Sequence, residues 1–160
     1  MSRHVPPDNA TDLANSIYDA RDVAHPTRYP DLAWALGQEI SHFTVEFLTS
    51  NPVKPHVVFK VNLANQKTST HRIGLITAAR ISIESRREDT CGVCEIKLCN
   101  YLTQSHVAAA GFQFGVKNYF TLGHFMNLII GMPDTDMTKF NFCEVRGGVL
   151  DGCRDWVTQA

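Results

Sequence analysis

No stretch of this chain approaches the ~20 consecutive apolar residues that a membrane-spanning helix requires, although 44% of its 160 residues are hydrophobic. The opening residues 1–12 are polar and carry Pro6-Pro7, without the apolar core of a secretory leader. The expectation is a soluble, cytoplasmic protein with no membrane partner. Net charge is nearly absent as well: 15 Lys and Arg against 16 Asp and Glu leave −1. Such a balance gives no overall pull toward nucleic acid. The densest basic spot, Arg86-Arg87, runs straight into Glu88-Asp89, as a solvated loop would. Cysteine is sparse and odd in number, five in all, which favours reduced thiols over a disulfide framework. Phosphate-binding and dinucleotide fingerprints are missing, since Gly147-Gly148 and Gly152 have neither the lysine nor the strand–helix context. A Ser-centred nucleophile elbow is missing too. Repeats and low-complexity tracts are likewise lacking, which leaves a flexible lead over residues 1–10 and a single domain over residues 11–160.

What is present alternates between two periods. Residues 11–21 predict a short helix, with Leu13 and Ile17 four apart. After His25-Pro26 and Tyr29-Pro30 break the chain, Asp31 is placed to cap a second helix that ends near Gly37. From Phe43 the period becomes two. Phe43, Val45 and Phe47 share one face of a strand, and Val57, Phe59, Val61 and Leu63 share one face of the next. The other face of that second strand carries His56, Val58, Lys60 and Asn62. Residues 64–70 read as a polar turn, and His71 as the start of a further strand. Residues 94–101 and 112–116 follow as strands, with Phe112 and Phe114 expected in the core beside Phe43 and Phe47. Thr121 caps an amphipathic helix bearing Leu122, Phe125, Met126, Ile129 and Ile130. Residues 139–145 alternate again, with Phe140 and Phe142 on one face. The fold class this order predicts is α+β, one domain with a largely antiparallel sheet packed against a few helices.

The candidate chemistry centres on Cys153, in Asp151-Gly152-Cys153-Arg154-Asp155-Trp156-Val157. There a glycine turn is expected to give way to a last helix. A cysteine in a helix's first turn faces unpaired N–H groups and the positive end of the dipole, and both favour thiolate. The same position also suits a small buried residue at a helix entry, with Trp156 and Val157 as core. His56 and His71 stand at strand starts beside apolar core, where adjacent antiparallel strands can bring side chains together. His124 falls on the polar side of its helix. A second cluster, Cys91-Gly92-Val93-Cys94 with Cys99 and His106, offers a redox or zinc reading. On a strand, however, Cys94 and Cys99 point to opposite faces, so ordinary core or turn cysteines and no bound metal are expected.

A histidine on one strand, a second on the following strand and a cysteine opening a late helix resemble, in order, the circularly permuted papain-like enzymes. These include the lecithin:retinol acyltransferase group and relatives of the NlpC/P60 hydrolases. The resemblance implies His56 as base, His71 as its orienting group and Cys153 as nucleophile, in a permuted papain-like arrangement that needs no cofactor. Residues 54–158 also resemble a family of small uncharacterised fungal proteins. Pro55-His56-Val57-Val58-Phe59, Thr121-Leu122-Gly123-His124-Phe125, Phe140-Asn141-Phe142 and Gly152-Cys153-Arg154-Asp155-Trp156-Val157 carry that likeness. Val57 stands where the family has tryptophan, and Asp155 where it has an aromatic residue. The family likeness implies a tailoring role in fungal secondary metabolism. Together these point to acyl transfer or hydrolysis of a small-molecule ester, amide or thioester by a cofactor-independent thiol enzyme. The alternatives are a cofactor-free cyclase or isomerase using histidine acid–base chemistry, and a non-enzymatic binding module.

Overall fold

The computed structural model describes residues 17–48, 56–70, 74–85, 92–100, 108–130, 143–145 and 149–151. Among them six strands form one antiparallel sheet: β1 (Ile17–Asp19), β2 (Ile40–Leu48), β3 (His56–Thr68), β4 (Leu75–Ser85), β5 (Gly92–Cys99) and β6 (Ala108–Gly115). The order is β1-β5-β4-β3-β2-β6, so β2 to β5 run as a meander and the outer strands close its two edges. A separate hairpin joins β7 (Cys143–Val145) to β8 (Val149–Asp151). The α+β class and antiparallel sheet expected from the periodicities are what the chain builds. No helix among the described residues is long and apolar enough to cross a membrane.

Alternation divides the sheet into two faces. Phe43, Phe59, Val61, Ala79, Ile81, Ile83, Cys94, Ile96 and Leu98 belong to the main core, with α1 (Pro30–Leu36) and α2 (Leu122–Ile130) packed over them. Phe125 of α2 sits 4.8 Å from Phe43 and 5.8 Å from Phe59 between ring centroids. From α1, Leu32 and Ala35 complete this layer, and both are fully buried. The helices also meet each other: a Cβ at Gly123 would lie 2.9 Å from the carbonyl oxygen of Leu36. Only a glycine lets α2 come that close to the end of α1.

Several local expectations need correction. Within residues 17–24 the first predicted helix is a strand and a 3₁₀ turn, because β1 pairs with β5 (Tyr18 opposite Ile96) and tertiary pairing overrides the local period. Asp31 does not cap α1. Tyr29 holds the N-cap position, and Asp31, fully buried one residue inside the helix, reaches across to the β3–β4 turn. Its carboxylate accepts from Ser69 Oγ (2.5 Å) and from the Thr70 N–H (3.0 Å). Residues 64–68 are not a turn either: β3 continues to Thr68 past a bulge between Asn62 and Lys67. The true turn follows, with Gly74 at φ 81° and the Ser69 N–H donating to the Gly74 carbonyl. Phe112 and Phe114 are not core: they are 57% and 53% exposed on the outermost strand. Phe140 and Phe142 lie outside the described residues.

Thr121 does cap α2. Its Oγ accepts from the His124 N–H (3.1 Å) while its own N–H donates to His124 Nδ1 (3.2 Å), a reciprocal capping box. His124 is exposed, as its position on the helix predicted.

Candidate functional site

The sheet's second face carries the polar residues, and its middle, around Glu46, Val58, Lys60, Asn62, Ala78 and Ser82, is buried as well. Antiparallel register aligns them in rows: Thr44, Lys60, Arg80 and Lys97 in one, Glu46, Val58, Ser82 and Glu95 in the next. Leu48 faces His56, and continuing the β3–β4 register brings Glu84 opposite His56. Small apolar side chains, Val58 and Ala78 among them, fill the spaces between these groups.

Two ionic pairs stand out. At one end His56 Nε2 lies 2.8 Å from Glu84 Oε1, and Ser82 Oγ donates to the same oxygen at 2.7 Å. Burial alone would push the Glu84 carboxyl up. The hydrogen bonds from His56 and Ser82, with the charges of His56 and Arg80, outweigh it and leave the group below the usual carboxylate range. The His56 and Glu84 side chains remain 21% and 38% exposed. Toward the middle of the sheet Lys60 is 1% exposed and Glu46 fully buried, with Nζ 3.9 Å from Oε1. Removal from water lowers the Lys60 pKa, and the attraction of Glu46 and Cys99 offsets part of that. His42 is also lowered, first by burial and then by the charge of Lys60.

Asn62 lies beside this pair, 2% exposed, with Nδ2 donating to Thr44 Oγ1 (3.3 Å) and to the His42 carbonyl (3.4 Å). Its Oδ1, and Nε of Arg80 on the adjacent strand, are buried polar atoms with no hydrogen-bond partner among the described residues. An unmet buried donor or acceptor costs about 1–3 kcal/mol, so each has reason to take a partner, whether water or a ligand.

Of the residues picked from sequence, His56 is placed on this face. His71 and Cys153 lie outside the described residues, as do Cys91 and His106. The group that meets His56 is Glu84. Sequence reasoning passed over it, although Ser82 and Glu84 alternate with Ile81 and Ile83 as one polar face. Antiparallel pairing of that strand with the His56 strand was the available signal. The glycine turn does not lead directly into a helix: β8 follows it and pairs back on β7. Cys94 and Cys99 are buried and on opposite faces, as strand geometry requires.

An open groove of about 540 Å³ lies elsewhere, lined by residues 117–120 with His124, Asn127 and Leu128 of α2. It has neither a histidine–carboxylate pair nor a buried charge, so the polar face is the better candidate. No protein-family model, no curated protein and no solved structure matches the chain. The likenesses to the fungal family and to the permuted papain-like order rest on the motif residues that suggested them.

Proposed function

We propose that the polar face is the working surface of a cofactor-independent acid–base enzyme on a small molecule, an isomerase or cyclase. The observation that carries this is the His56–Glu84 contact at 2.8 Å with Ser82 on the same carboxylate. Accepting from Nε2–H fixes the neutral tautomer with its lone pair on Nδ1, and the carboxylate stabilises the imidazolium that forms when Nδ1 takes a proton. His56 removes a proton next to a carbonyl and returns it at another atom, so the substrate is rearranged without any change of oxidation state. Lys60 and Asn62 lie four and six residues along the same strand, roughly 13–20 Å away. They suit the polar far end of an elongated substrate, with Asn62 Oδ1 and Arg80 Nε as its hydrogen-bond partners. The fungal-family likeness adds a tailoring step in secondary metabolism as the setting.

The thiol reading keeps His56 as the base but moves the chemistry to Cys153, on the strength of the Gly152-Cys153-Arg154-Asp155-Trp156-Val157 motif. His56 takes the thiol proton and the thiolate adds to an acyl carbonyl; the tetrahedral intermediate expels the substrate's alcohol, amine or thiol, which takes the proton back from His56, and the thioester then passes its acyl group to water or an amine.

One experiment separates the two. In deuterated water, wild-type protein is incubated with a panel of enolisable carbonyl compounds and with activated esters. Acid–base isomerase chemistry predicts deuterium uptake by a carbonyl compound, lost in His56→Ala, lowered about 100-fold in Glu84→Gln and unchanged in Cys153→Ala. Ester turnover lost in Cys153→Ala would establish the thiol reading instead. Exchange that survives His56→Ala sinks the acid–base proposal.

A further inference from the structure

The two edges of the main sheet are built very differently. β1 is only three residues long and ends at Asp19, whose carboxylate pairs with Arg21. Shortness and charge are how natural sheets keep an edge from pairing with another chain. β6 has neither protection. Its eight residues, Ala108-Ala109-Ala110-Gly111-Phe112-Gln113-Phe114-Gly115, contain no charge and no proline. Residues 109–115 are all exposed, on both faces of the strand, although β2 pairs with its inner edge along most of its length. Among the described residues no strand pairs with the outer edge of residues 109–115.

From this we infer that β6 is a homodimer interface, at which two copies of the chain pair their β6 strands antiparallel into one continuous sheet. The occupant follows from the strand's own composition. Residues close to the two-fold axis meet their own counterparts, so a charge in the middle of β6 would lie beside the same charge of the other copy. A strand with no charge escapes that penalty along its whole length. Large and small residues also alternate in a way that fits a copy of itself. An axis through Phe112 sets Phe112 beside its counterpart, Phe114 opposite Ala110 and Gln113 opposite Gly111. Both copies then present their aromatic rings on the helix-bearing face, where Phe112 already packs edge-on against Phe47 with centroids 5.9 Å apart.

The area sets the strength. A phenylalanine offers about 150–250 Å², so two rings a little over half exposed supply roughly 200 Å² per copy. A standard interface buries about 800 Å² per partner. The strand backbone and the small residues add to the rings without reaching a large interface, so the dimer belongs to the weak, concentration-dependent class.

Sedimentation equilibrium of the full chain from about 1 to about 200 µM tests this directly. Wild-type protein should pass from monomer to dimer across that range. Ala110→Lys and Gln113→Lys, each at an exposed position, should both remain monomeric to the highest concentration, with circular dichroism like that of wild type. If one of them fails to fold, the other still decides the matter. A wild-type chain that stays monomeric at about 200 µM overturns the inference, as it would if another protein normally covers the strand. So does a dimer that survives both substitutions.

Discussion

Lys60 is the most demanding residue in the molecule, a fully buried ammonium held 3.9 Å from a fully buried carboxylate. Two charges taken from water cost several kcal/mol each, and their attraction returns that only with good geometry. Removing one partner is therefore worse than removing both. Lys60→Met takes the ammonium away from the buried Glu46 carboxylate and should lower stability by about 3–5 kcal/mol in urea denaturation. The double variant Glu46→Leu/Lys60→Met should recover that loss and end between neutral and about 4 kcal/mol more stable than wild type. A double variant no better than the single one would show that the pair is held by more than its own charges. The sequence showed Lys60 and Glu46 on polar faces of neighbouring strands, but alternation cannot say whether a polar face meets water. Burial on both sides of β3 depends on what packs over the sheet, and that information is not local.

At the scale of elements, what could be read from sequence was periodicity, and what could not was pairing. Amphipathic α2 and its Thr121 cap, the strand beginning at His56 and the helix ending before Gly37 were all visible in spacing and end signals. β1 was not, because a three-residue strand has no period and exists by pairing with β5. Asp31 misled for a related reason: a carboxylate at a helix start reads as a cap, whereas its partners Ser69 and Thr70 lie nearly forty residues away. The same holds for the candidate site. His56 was found from its strand position, but Glu84 follows only once β4 is known to run antiparallel beside β3. Gly123 is a further case, since a glycine inside a helical pattern looks like a weakness. Alanine there should gain up to about 1 kcal/mol of helix propensity. Its Cβ would also press on the Leu36 carbonyl at 2.9 Å, and overpacking of this kind costs about 1–3 kcal/mol. The second effect wins because the obstacle is backbone. Gly123→Ala should lower the thermal midpoint, and a rise would mean that α2 can shift away from α1 at little cost.

For the whole molecule, acid stability follows from two groups on the polar face. The folded state holds His42 below its ordinary value of 6.5 and Glu84 below its ordinary value of 4.5. For a group with a depressed folded pKa, the stability it confers is complete above the unfolded pKa and is lost as pH falls toward the folded one. The thermal midpoint should therefore fall in two stages, beginning near pH 6.5 as unfolded chains take up the His42 proton and again below pH 4.5 through Glu84. His42→Gln should flatten the first stage and Glu84→Gln the second. A single acid transition unmoved by either substitution would locate the sensitivity elsewhere. The buried Glu46–Lys60 pair has another consequence, for uniqueness rather than stability. A strand slipped by one residue turns every side chain to the opposite face, and a slip of β3 would drive the Lys60 ammonium beneath Phe125 and the helices. That penalty excludes the alternative alignment. With leucine and methionine in place of the pair, the middle of that face of β3 turns apolar and the sheet loses its strongest instruction about which side the helices belong on. The more stable double variant is thus expected to give more than one amide resonance for residues of β2 and β3, a protein that folds more tightly but to less than one answer.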